Sequence, residues 1–134
     1  MAEITDIGGQ HKCAHEQCRC EVSTVSYDPL LTGLDPGRVA GAVDTVSVIA
    51  YSQLTSDVSA AMSDVKAEIV GRGATLRALL SLFDRDCPSQ AVLEAHLSCL
   101  TEMGVDDVTF YNYGLSSTSA LGYLRGALES CVLR

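Results

Sequence analysis

The densest concentration of chemically capable side chains lies near the N-terminus. Cys13, His15, Cys18 and Cys20 follow one another as Cys-x-His-x-x-Cys-x-Cys, with His11 as a nearby substitute. Thiolate sulfur and imidazole nitrogen are the donors that zinc takes in tetrahedral Cys3His sites, and thiolates also select cuprous copper. The other three cysteines, Cys87, Cys99 and Cys131, are scattered along the chain. Three thiols and an imidazole this close along the backbone therefore predict one soft cation, zinc or copper, held by Cys13, His15, Cys18 and Cys20. Few apolar residues lie in the first 27, so in such a segment the energy of metal binding would be the energy of ordering.

The stretch Lys12-Cys-Ala-His-Glu-Gln-Cys-Arg-Cys-Glu-Val22 resembles bacterial metallothioneins. The resemblance implies zinc, cadmium or copper bound through those same four side chains. Family members carry a further downstream cysteine block that this chain lacks, so the expected capacity here is a single ion.

A second set of candidates depends on the fold. Thr45 to Tyr51, Leu76 to Phe83 and Asp107 to Tyr111 are β-rich runs whose starts recur about every 31 residues. Between the first two, Val58, Met62, Val65 and Ile69 fall at helical spacing, with Thr55 or Ser56 to cap and Gly71 or Gly73 to stop. Pro88 and Ser89 open a second helix carrying Leu93, Leu97, Leu100 and Met103, which Gly104 ends. Ser116, Ser117 and Thr118 offer caps for a third, with Leu121, Leu124 and Leu128 as its stripe.

The pattern predicts an α/β fold of three consecutive β-α units in a parallel sheet, with residues 36–134 as that domain. Residues 1–35 form an irregular Cys/His segment and linker, in which Glu21 to Tyr27 is at most a short extended piece. Residues 39–130, and above all Gly104 to Leu115, resemble late β-α units of a TIM barrel. The resemblance implies parallel strands with a functional rim at their C-terminal ends. Eight units make a complete barrel, so three leave sheet edges bare, and a homo-oligomer is one way to cover them.

The rim rule selects Tyr51, Ser52 and Gln53, then Asp84, Arg85 and Asp86, then Tyr111, Asn112 and Tyr113. Among these, Asp84, Asp86, Tyr111 and Asn112 are the candidates for binding or transforming a small polar substrate, with the two aspartates able to divide acid and base roles. The loop Asp84 to Pro88 is equally an ordinary helix-capping turn, and the tyrosines equally ordinary packing at strand ends. Cys87, beside Arg85 and at a helix start, has surroundings able to lower a thiol pKa, but no base partner is evident in the sequence. His96, on the second helix, reads as filler. There is no phosphate loop, dinucleotide fingerprint, zinc-protease helix or nucleophile elbow.

Composition narrows the classes. Nine basic residues against 17 acidic ones give a formal charge of −8, which excludes a nucleic-acid footprint and disfavours anionic membranes. No window has the continuous apolar length of a membrane span. The start, Met-Ala-Glu-Ile-Thr-Asp, is acidic where a signal peptide is basic, so the expected location is cytoplasmic with reduced cysteines. Three functions follow in order: a transition-metal binder through the N-terminal segment, a partial barrel-type enzyme working at the strand-end rim, and a gene remnant without selected activity.

Overall fold

The computed structural model describes residues 20–25 and 33–132. The elements run in chain order as β1 (Glu21–Val25), α1 (Pro36–Val39), β2 (Thr45–Ile49), α2 (Thr55–Ile69), β3 (Thr75–Ser81), α3 (Gln90–Glu102), β4 (Asp107–Tyr111), a 3-10 turn (Tyr113–Leu115) and α4 (Thr118–Val132). The four strands form one sheet in the order β1-β2-β3-β4, every pair parallel. Right-handed crossovers between neighbouring parallel strands keep the helices on one face. The helices accordingly pack side by side, α1 on α2, α2 on α3 and α3 on α4, with α2 lying against β2 and β3.

The fold is the expected α/β class, with one strand more than the three predicted. That strand, β1, lies N-terminal of residue 36, so the sheet draws on both sides of the expected boundary. Of its residues Glu-Val-Ser-Thr-Val, Val22 and Thr24 lie toward the helices. An apolar run that short, diluted by serine and glutamate, carries little strand signal of its own. Its ladder with β2, continued by Asp44 and Thr45 donating to the Cys20 carbonyl, supplies what the local sequence lacks.

The period-2 alternation of strands divides the sheet into two unlike faces. Val46, Val48, Ala78 and Leu80 point to the helices and are buried with Val58, Met62, Leu93, Leu97 and Leu100 from α2 and α3. The opposite face carries Glu21 and Ser23, Thr45, Ser47 and Ile49, Arg77, Leu79 and Ser81, then Asp107, Thr109 and Tyr111, aligned by the strand register.

Local signals fix the helix ends. Ser89 accepts from the Val92 amide at 3.4 Å and Ser117 from the Ala120 amide at 3.1 Å. The α3 C-terminus closes as a Schellman motif: Gly104, at φ +69°, donates to Thr101, and Val105 donates to Leu100. For α2 the expected Thr55 or Ser56 cap is not used. Leu54 holds that position, and Ser52 Oγ accepts from its amide at 3.0 Å. On α4 the stripe is also shifted. Ala120 and Ala127 are the fully buried residues, while Leu121 and Leu124 are half-buried and Leu128 is exposed.

Candidate functional site

The polar face of the sheet is covered by its own side chains at both ends. At the N-terminal end Arg77 of β3 reaches across β2 to Glu21 of β1 at 2.7 Å and also binds Asp107 of β4 at 2.9 Å. Ser47, which lies on β2 between β1 and β3, donates to Glu21 and is completely buried. The ion pair thus roofs the serine. Arg77 is held even more firmly protonated than usual, first by its hydrogen bond to Asp107, with Glu21 adding to it against the cost of burial. None of these three charged residues is singled out by motif or spacing. Their shared strand parity and register bring them together.

At the C-terminal end the same parity continues through Tyr51, Phe83 and Tyr111. Tyr51 stacks on Tyr111, with ring centres 5.9 Å apart and 23° between planes. Phe83 meets Tyr111 edge-on at 6.0 Å, and the Arg85 guanidinium sits 5.9 Å above the Phe83 ring. Both ring geometries are the offset or edge-on arrangements that aromatic quadrupoles favour. Tyr111 keeps 45% of its surface exposed and Tyr113 keeps 80%, so the cluster presents aromatic area to solvent.

The three strand-end loops are tied to one another. Gln53 donates its side-chain amide to the Arg85 carbonyl, joining the first loop to the second. Ser117 donates to Asp84 at 3.3 Å, joining the third loop to the second. His96 supports the first loop from below: it is 3% exposed and bonded to the Gln53 backbone, with Nε2 the one buried side-chain nitrogen or oxygen left without a partner among the described residues. Burial lowers its pKa, opposed by the Gln53 bond. It is therefore a buried, neutral support, where the sequence suggests filler.

The structure brings the predicted rim residues together at one end of the sheet. Asp86 lies close enough to Tyr51 that, after burial and Tyr111, its charge adds to raising the phenol's pKa. It also bonds the Arg85 side chain at 3.4 Å. Asn112 turns its amide oxygen back to the Gly114 amide at 3.0 Å, shaping its own loop, and its carbonyl accepts from Ser116. The Cys87 pKa is instead raised, by burial first and then by Asp84 and Asp86, and only the Ser89 backbone bond opposes this. The nearby carboxylates and the missing solvent outweigh the helix start, so Cys87 is an inert core thiol. Phe83 is the rim residue that spacing alone passes over.

No protein-family model, curated protein or solved structure matches the chain.

Of the metal candidates, Cys13, His15 and Cys18 (and His11) lie outside the described residues. Cys20 is at the entrance to β1, where its amide donates to Asp44 Oδ2 at 2.9 Å and its half-buried side chain packs against the core. Among the described residues there is no cluster of three or more His, Cys, Asp or Glu arranged to hold a metal. No helix among them is long and apolar enough to cross a membrane.

Proposed function

We propose that this chain is a small-molecule-binding domain whose ligand sits on the aromatic rim at the C-terminal ends of the parallel strands. The observation that carries the reading is the stacked Tyr51–Tyr111 pair with Phe83 edge-on, exposed on one side and bordered by Arg85 and Asp86. Parallel α/β sheets concentrate binding at this end. Exposed rings offer a flat, weakly apolar surface, and the bordering charges offer hydrogen bonds in its plane. A cyclic polyol or sugar-like ring has the matching character, with C–H faces and a hydroxyl edge. Asp84 and Asn112 already serve the loops, through Ser117 and Gly114, and act here as positioning residues.

The chain has no tryptophan, and three of its five tyrosines, Tyr51, Tyr111 and Tyr113, lie at this end of the sheet, so a change in tyrosine emission that Tyr111→Ala removes reports on it. Titration with monosaccharides and cyclic polyols is expected to change that emission saturably in the native chain and not in Tyr111→Ala. Absence of any saturable change across such a panel contradicts the reading.

A second reading concerns the N-terminal segment: one zinc or cuprous ion bound by Cys13, His15, Cys18 and Cys20. The spacing favours it, and so does the anchoring of Cys20, because a ligand tied to the sheet by Asp44 and Thr45 is one whose ordering cost is already met. The donor chemistry fits either ion. Metal analysis after reconstitution under reducing conditions is expected to give one equivalent, lost in Cys18→Ser.

A further inference from the structure

The outer edges of the sheet carry the same complementary features at opposite ends. The Tyr111 carbonyl accepts from Leu82, so residues 107, 109 and 111 aim their backbone groups at β3, and Val108 and Phe110 aim theirs outward. The Cys20 carbonyl accepts from Asp44 and Thr45, so Glu21 and Ser23 aim theirs away from β2. Among the described residues no strand lies beyond either edge. Both edges run in the same direction, so β4 of one copy and β1 of another meet as a parallel pair.

The helix layer ends in the same way. On α4, residues 126 and 130 face α3: Gly126 lies against Gln90, and Ser130 bonds Glu94 at 3.1 Å. At 100° per residue, Leu121 and Leu128 fall on the flank turned away from α3. Leu121 is half-buried, and Leu128 is 43% exposed. Val108 and Phe110 of β4, on the same side of the sheet, are also only half-buried. An apolar flank of strand and helix is left where the next β-α unit would stand.

We infer that the occupant is a second copy of this chain, joined head to tail so that β4 of each pairs with β1 of the other. Four sequential parallel strands with all helices outside are half of an eight-stranded closed sheet, and eight strands enclose an interior that side chains just fill. A two-fold axis along the strand direction makes both junctions identical and closes the ring. The enclosed face is partly prepared for that interior, because Arg77 pairs with both Glu21 and Asp107 and leaves one net negative charge where three separate charges would otherwise stand. The covered area suffices. A face of four strands about 4.8 Å apart and roughly 17 Å tall, plus two strand-and-helix flanks, comes to on the order of 1,000 Å² per copy, against the ~800 Å² per partner of a stable interface. Closure also sets the aromatic rims of both copies around one opening, so the rim described above is half of the assembled one. The assembly stands whether or not that rim binds a ligand, and its test reads mass and folding, with no ligand present.

Sedimentation velocity and native mass spectrometry of the full chain, reduced, from low to high micromolar concentration, decide it. The expected species has twice the 14.2 kDa chain mass. Ser23→Pro removes an outward N–H on the β1 edge without breaking a ladder bond to β2. Leu128→Glu charges the α4 flank. Each is expected to weaken dimerisation at least about tenfold, which is ~1.4 kcal/mol, with the far-UV circular dichroism of the native chain retained. A single-chain mass at every concentration overturns the inference. So does a trimer or open polymer, or a dimer that survives either substitution in folded form.

Discussion

Replacing Arg77 by alanine tests whether the polar face is organised by its ion chain. The guanidinium bonds Glu21 at 2.7 Å and Asp107 at 2.9 Å, with side-chain exposures of 24% for Arg77, 39% for Glu21 and 37% for Asp107. A fully buried charge-assisted bond contributes about 1.5–3 kcal/mol, whereas an exposed pair contributes about 0–1 kcal/mol. These pairs are partly exposed, so roughly 1 kcal/mol each is appropriate. Losing the arginine stem that roofs Ser47 and leaving two carboxylates without their shared cation bring the expected total to about 2–3 kcal/mol. In urea, with a slope of ~2 kcal/mol/M for a chain of this size, the midpoint should fall by about 1 M. Arg77→Lys, which keeps the charge but not the fork, should lose about half as much. Glu21→Gln introduced into the Arg77→Ala background should cost much less than in the native chain, because the two residues share one interaction. Equilibrium urea unfolding followed by circular dichroism measures the native chain and all four variants. A loss under about 0.5 kcal/mol for Arg77→Ala, or strict additivity with Glu21→Gln, refutes the reasoning.

Two further outcomes follow from single positions. Gly104→Ala should destabilise by about 1 kcal/mol, because an alanine at φ +69° is strained, while its nearest contact, Lys66 Nζ at 3.8 Å, leaves room for the methyl; thermal unfolding checks it. His96 has a lowered pKa in the folded chain, so below its unfolded value of about 6.5 the unfolded state takes up a proton that the folded state refuses. Stability is then lost as pH falls below that value, by at most ~1.4 kcal/mol per pH unit from this residue. Urea midpoints at successive pH values should show this slope in the native chain and a shallower one in His96→Gln.

Much of the scaffold is legible before folding. The β-branched run from Thr45 to Tyr51, the helical spacing from Val58 to Ile69, the Ser89 cap and the Gly104 stop each carry a local signal, and each element stands at its signal, although the first strand ends at Ile49, two residues before the run does. What was hidden depends on neighbours. β1 becomes a strand through its ladder with β2. Glu21, Arg77 and Asp107 are separated in sequence by 56 and 30 residues and meet only through register. The rim is legible in part: Tyr51, Asp84, Asp86, Tyr111 and Asn112 follow from the rule that loops after parallel strands carry function. Phe83 joins them through parity, once the strand is known to begin at Thr75. On α4, leucine marks an apolar helix face only in part: Leu121 and Leu124 pack against the core, but the tightest packing admits only Ala120 and Ala127, and Leu128 stays exposed. A helix start lowers a thiol pKa only when the sulfur remains solvated and no carboxylates stand beside it, and Cys87 is buried with Asp84 and Asp86 nearby.

The most direct measurement of the central claim is a residue-resolved NMR titration of the full chain with the tightest-binding sugar or cyclic polyol. Saturable shifts are expected at Tyr51, Phe83, Arg85, Asp86 and Tyr111, abolished by Tyr111→Ala in a chain that remains folded. Saturable shifts centred elsewhere, such as between α3 and α4, or shifts that persist in Tyr111→Ala, would contradict the claim.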